Sequence, residues 1–186
     1  IVTDNGNILI NTGLADSYST IKKNIEKLGF NYKDIKILTL TQAHYDHMGA
    51  MAQIKKETGA KLYVDAKDAE ELKSGGESDY ELGKYGVTFM PVPPDFLLKK
   101  NDKIKLGNTV VTLLHHPGHT KGSCSFLFET KEGNKNYKVL IANLPSIIID
   151  HKFSDVKKYP TIQKDYAQTF EAMKKINFDI WVASHA

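Results

Sequence analysis

Apolar residues follow two rhythms along this chain. Ile21, Ile25 and Leu28 recur at spacings of four and three, so residues 17–28 are predicted as an amphipathic helix, with Gly29 placed to end it. The run IKILTL at 35–40 is short and mostly apolar, the pattern of a strand buried in a sheet. A helix is predicted for MGAMAQIKKETG, a strand for AKLYVD at 60–65, and another helix for DAKDAEELKSG. Ahead of these, residues 1–12 read as a hairpin around Asn5-Gly6. From 85 to 128 the pattern changes to short β-rich runs, YGVTFMPV, KIKL, NTVVTLLHH and SCSFLFET, separated by Gly, Pro, Asn and Asp and expected to pair antiparallel. NYKVLIAN at 136–143 reads as a strand, residues 160–176 as a helix, and IWVAS at 180–184 as a last buried strand. The order predicts one compact α/β domain of two sheets with helices outside. Phe126, Phe128, Phe170 and Trp181 are expected in its core.

Composition narrows the function. The chain has 186 residues, 41% hydrophobic and 25% charged, an ordinary globular balance with enough length for a sizeable core. No apolar run approaches the roughly 18 residues of a membrane span. A net charge of +3 with scattered lysines argues against a nucleic-acid partner and mildly favours a small anionic substrate. The single cysteine, Cys124, excludes an internal disulfide and a cysteine zinc cluster, and is expected buried. The chain opens in a strand already in progress and stops one residue after a histidine, so it reads as the internal portion of a longer protein.

The chemistry rests in three places, each directly after an apolar strand. Residues 42–47, QAHYDH, carry four ligand-type side chains, with 42, 44 and 46 expected on one side of an extended segment. Residues 115–123, HHPGHTKGS, hold a Pro-Gly turn that presents His119. Ser184-His185 is the third. Three strand ends that each carry histidine at the edge of an α/β sheet predict a metal site, and imidazole with carboxylate suits zinc. Among the other residues, His115 and His116 are expected to be structural, His151 exposed, and Tyr45 either lining the pocket or packed.

At this point residues 42–47 and 116–123 resemble the HxHxDH and HPGHTxGS motifs of the metallo-β-lactamase superfamily. Together with VASHA at the end, they are similar to subclass B3 of the class B β-lactamases, and Gln42 in place of the usual first histidine resembles its GOB-type members. The resemblance covers nearly the whole chain and implies a four-layer αβ/βα sandwich, residues 1–186 forming a single domain incomplete at both ends. It implies one or two Zn2+ ions: Asp46, His47 and His185 at one position, and Gln42, His44 and His119 at the other. Gln42 offers only a neutral amide oxygen, so the Asp46/His47/His185 position is expected to fill first. Asp46 is also implied as the catalytic residue, orienting the water that attacks the β-lactam amide of penicillins, cephalosporins or carbapenems. Ser146 is implied to hold the substrate carboxylate. Asn143, where glyoxalase-like and nuclease relatives carry a bridging aspartate, points away from those activities. The expected enzyme is a periplasmic monomer conferring antibiotic resistance, with a β-lactam as its partner and neither nucleic acid nor membrane. The alternatives are another hydrolase of the superfamily, acting on a thioester, lactone or phosphodiester, or an inactive fragment.

Overall fold

The computed structural model describes residues 1–185. Two five-stranded sheets face each other. The first has the order β1 (Val2–Thr3), β2 (Gly6–Ile10), β3 (Ile35–Thr39), β4 (Lys61–Asp65), β5 (Phe96–Leu98), parallel except for the β1–β2 hairpin. The second holds β6 (Lys103–Leu106), β7 (Thr109–His115), β8 (Cys124–Glu132), β9 (Lys135–Ala142) and β10 (Ile180–Ala183). It is antiparallel from β6 to β9, and β10 adds parallel to β9. The helices are α1 (Tyr18–Lys27), α2 (Tyr45–Met48), α3 (Met51–Thr58), α4 (Ala69–Ser74) and α5 (Ile162–Met173).

Strand alternation builds two cores from one sheet. On β3, Ile37 points between the sheets to meet Ile104, Leu113 and Phe126, while Leu38 points outward to meet Met51 and Ile54 of α3. Ile21 and Ile25 of α1 pack on that outer cluster, as their spacing predicts. A third cluster joins α5 to Tyr80 through Tyr159, Ile162 and Tyr166.

Four expectations need correction. YGVTFMPV is not a strand: Pro91, Pro93 and Pro94 lack the N–H a ladder requires, and Phe89 and Val92 instead bond back to Gly75 and Leu72 at the end of α4. The edge strand is the next run, Phe96–Leu98. IWVAS forms β10, but with one neighbouring strand Ile180, Trp181 and Val182 stay 39–44% exposed rather than buried. Phe170 and Trp181 are therefore not core residues, Phe128 is half-buried, and only Phe126 is fully enclosed.

Candidate metal centre

The parallel strand β3 delivers the chain to the edge between the two sheets, where Thr39, Leu40 and Thr41 are buried. Thr41 N–H is held by Asn11 Oδ1 at 2.9 Å, which fixes the start of the next segment. The backbone stays extended through His44, the residue before α2, and then closes into a single helical turn. The alternation expected for 42, 44 and 46 therefore ends at His44, and Asp46 is placed by helix geometry. The turn is anchored from below: Thr12 N–H and Oγ1–H both donate to the His47 carbonyl, at 2.8 and 3.0 Å. Gly49 follows because a Cβ there would lie 2.3 Å from the backbone of Leu14 and Ala15.

The second strand end is the turn after β7. Gly118 adopts φ +133, and a Cβ on it would meet the Tyr166 ring at 2.7 Å. Asp68, just before α4, fastens this turn. Its carboxylate accepts from Thr120 Oγ1 and Gly122 N–H, both at 2.6 Å. Burial pushes the Asp68 carboxyl up to about 6, against the pull of those two donors. Tyr80 Oη–H donates to the His119 carbonyl at 3.1 Å. The third strand end is β10, tied down by Ser184 N–H and Oγ–H to the Ala142 carbonyl and by Ser184 Oγ to Thr41 Oγ1.

These three ends bring the predicted ligands together in two groups. Asp46, His47 and His185 offer ligand atoms that all lie within 4.8 Å of one another. His47 Nε2 is 3.0 Å from His185 Nε2, and Asp46 Oδ2 is 3.6 Å from each. In the second group His44 Nδ1 lies 3.1 Å from His119 Nε2. The Gln42 amide nitrogen sits 2.5 Å from His47 Nε2, and among the described residues its buried Oε1 has no partner. Ser146 lies beside His119, with its carbonyl 2.7 Å and its hydroxyl 3.3 Å from His119 Nδ1.

The donor set fits a cation on tautomer grounds. The Ser146 carbonyl can only accept, so His119 Nδ1 carries the proton and Nε2 a lone pair. Asp79 Oδ2 accepts from His44 Nε2 at 3.2 Å, so in the neutral ring His44 Nδ1 also carries a lone pair. The two lone pairs face each other, an arrangement that a shared positive ion turns from repulsion to attraction. Their spacing matches the roughly 3.3 Å between nitrogens at tetrahedral zinc with Zn–N of about 2.0–2.1 Å. Burial, reinforced by nearby histidines, lowers His119 to about 4; burial likewise lowers His47 to about 4 although Asp46 opposes it. Both rings are thus neutral and available as ligands at neutral pH.

The remaining residues fall outside these groups. His116 bonds locally, Nδ1 to Ser125 Oγ at 2.8 Å, and burial lowers it to about 4. His115 pairs with Asp65 at 2.7 Å, away from the ligands. His151 is exposed, Cys124 buried and Tyr45 41% exposed. Asn143 is buried, with neither amide atom hydrogen-bonded. Sequence reasoning missed Asp79 and Asp68. Both are acids in polar stretches, and only the folded chain puts them under His44 and the HPGHT turn.

The metallo-beta-lactamase superfamily model matches residues 1–132. The metallo-beta-lactamase GOB-18 from Elizabethkingia meningoseptica is 70% identical to this chain, with a TM-score of 0.98, and the match covers all of this chain and 69% of that one. The class B3 di-zinc enzyme LRA-12 from an Alaskan soil metagenome is 59% identical with the same TM-score, over all of this chain and 70% of its own. Hydroxyacylglutathione hydrolase GloC of Haemophilus influenzae is 30% identical over 109 residues, 58% of this chain and 50% of that protein. The chain spans between half and three-fifths of the length of the first curated relatives it matches. The opposed sheets, the two histidine groups at their shared edge and these matches together show that the chain belongs to the metallo-β-lactamase superfamily, in its B3 branch.

Proposed function

We propose that this chain carries a zinc-dependent β-lactamase activity, opening the amide ring of penicillins, cephalosporins and carbapenems. The observation that carries the reading is the pair of facing lone pairs on His44 Nδ1 and His119 Nε2, next to the Asp46, His47 and His185 group. Zinc, when bound, acts as a Lewis acid and makes water nucleophilic at neutral pH. The chain's own residues do the rest. Asp46, its side chain 31% exposed, can both ligate and accept a hydrogen bond from the attacking water, aiming its lone pair at the ring carbonyl. His185 is the open side of the site, with its side chain 55% exposed. The Ser146 hydroxyl, beside His119 on an exposed loop, can donate to the substrate carboxylate, and Leu144 and Ile147 give that loop an apolar wall.

The LRA-12 match supports zinc at both positions; Gln42 supports unequal ones. A monomer in the periplasm, conferring antibiotic resistance, fits the β-lactamase reading. No helix among the described residues is long and apolar enough to cross a membrane. The likeness to GloC favours a thioester as the second reading. Gln42, and Asn143 in place of a bridging carboxylate, weigh against it. Turnover of a chromogenic cephalosporin by the zinc-loaded protein, abolished by a chelator and restored by zinc, is the expected result. Hydrolysis of a glutathione thioester with the cephalosporin untouched would overturn it.

A further inference from the structure

A second concavity lies at the ends of β4, β5 and β7 and shares no residue with the metal centre. It holds about 400 Å³ and is lined by Asp65, Lys67, Leu98, Lys99, Lys100 and His115, with Ala66 between. Its floor is a built dyad. Asp65 is buried, and both its oxygens are used: Oδ1 accepts from Lys67 N–H at 2.9 Å, and Oδ2 from His115 Nδ1 at 2.7 Å. The imidazole is thereby fixed in orientation, and in its neutral form Nε2 is left as an acceptor. Among the described residues Nε2 has no hydrogen-bond partner, and the side chain is 23% exposed. Lys67, Lys99 and Lys100 line the same cavity, and among the described residues none of the three forms an ion pair, although other lysines of the chain do. The adjacent carboxylate of Asp102 is occupied by Lys99 N–H at 2.8 Å. Three lysines thus line a cavity whose buried acid is already hydrogen-bonded through both oxygens, beside a single oriented imidazole nitrogen.

We propose that this cavity binds a phosphate group, free or as a small monoester. The lysines demand an anion, and Nε2 of His115 demands a donor hydroxyl. A phosphate carrying one proton supplies both, its P–OH to Nε2 and its charged oxygens to the ammonium groups. A sulfate is fully ionised near neutral pH and supplies only the charge. Leu98 offers an apolar contact for the ester carbon.

The test uses zinc-loaded protein. The His115 ring C–H signal, assigned by its loss in His115→Gln, is followed by carbon-13 NMR as inorganic phosphate is added. The expected result is a saturable shift, at least fivefold weaker with sulfate at equal ionic strength. The apparent dissociation constant rises at least tenfold in Lys99→Gln/Lys100→Gln. It is unchanged in Lys131→Gln/Lys135→Gln, on the distant β8–β9 hairpin. Phosphorus-31 line broadening is a second readout, reduced in Lys67→Gln. A phosphate that moves the metal-centre histidines but leaves His115 still overturns the proposal. So does an equal loss of affinity in both double variants, which would mark the effect as general charge.

Discussion

The carboxylate of Asp79 lies 3.2 Å from Nε2 of His44, and both side chains are buried. Asp79 is itself held in place, its Oδ1 accepting from the backbone N–H groups of Glu81 and Leu82. Burial would raise its carboxyl; the His44 hydrogen bond and those two amides outweigh this and hold it below the ordinary carboxylate value. A carboxylate behind a ligating imidazole fixes the ring and raises its basicity. Asp79→Ala is expected to weaken zinc at the His44/His119 position by about 10–100-fold, while leaving the Asp46/His47/His185 position within a factor of two or so. Competition with a chromogenic chelator measures both. Equal weakening of the two would mean that Asp79 serves the fold and not the ligand.

Three ionisable or imidazole donors hold one position, and two imidazoles plus a neutral amide hold the other. The first equivalent of zinc is therefore expected to broaden or shift the ring signals of His47 and His185, and the second those of His44 and His119. Gln42→His is expected to tighten the second ion by about tenfold or more, because imidazole nitrogen binds zinc better than an amide oxygen. Movement of His44 and His119 at the first equivalent would reverse the order.

Gly118 is the residue on which the HPGHT turn and α5 meet. An alanine there takes a φ of +133 and puts its Cβ 2.7 Å from the Tyr166 ring. Strained backbone and overpacking together are expected to cost Gly118→Ala about 2–5 kcal/mol. Tyr166→Phe keeps the ring and removes the hydroxyl that donates to the Ser146 carbonyl at 2.8 Å. Loss of that one hydrogen bond is expected to cost only about 0.5–1.5 kcal/mol. Urea unfolding of the two variants ranks them; a Gly118→Ala protein as stable as the parent would show that the turn relaxes freely.

Glu71 supplies a pH signature. Burial pushes its carboxyl up to about 7 from an ordinary value of 4.5, and the hydrogen bond from Ser78 opposes this only in part. The folded state thus binds this proton more tightly than the unfolded one. Stability from this group is full below about pH 4.5, falls as pH rises toward 7, and stays reduced above it. Glu71→Gln retains an acceptor for Ser78 without the charge. Its melting temperature relative to the parent is expected to climb between pH 5 and 8. A difference independent of pH would show that Glu71 titrates as an ordinary exposed acid.

Local patterning made the strands and helices legible wherever one face meets the core, as with Ile37 and Leu38 on β3 or Ile21 and Ile25 on α1. The stretch before Phe96 misled because its apolar residues pack individually while its prolines forbid a ladder. Trp181 and Phe170 misled because a large apolar side chain reports a preference for burial, not its supply. At the site, the histidines were legible because motif residues crowd together in sequence. Gln42 also meets His47, since the chain turns helical at Tyr45 and swings His47 back against it. Asp68 and Asp79 act across 52 and 35 residues, distances at which no local pattern operates.

His185 stands 138 residues beyond His47, just past the strand β10, which among the described residues pairs with β9 alone. During synthesis the two sheets, both motif loops and even α5 leave the ribosome before that histidine does. A nascent chain therefore offers the His44/His119 pair before it offers the Asp46/His47/His185 triad. The two positions thus become available in order, the pair first and the triad once His185 has been made.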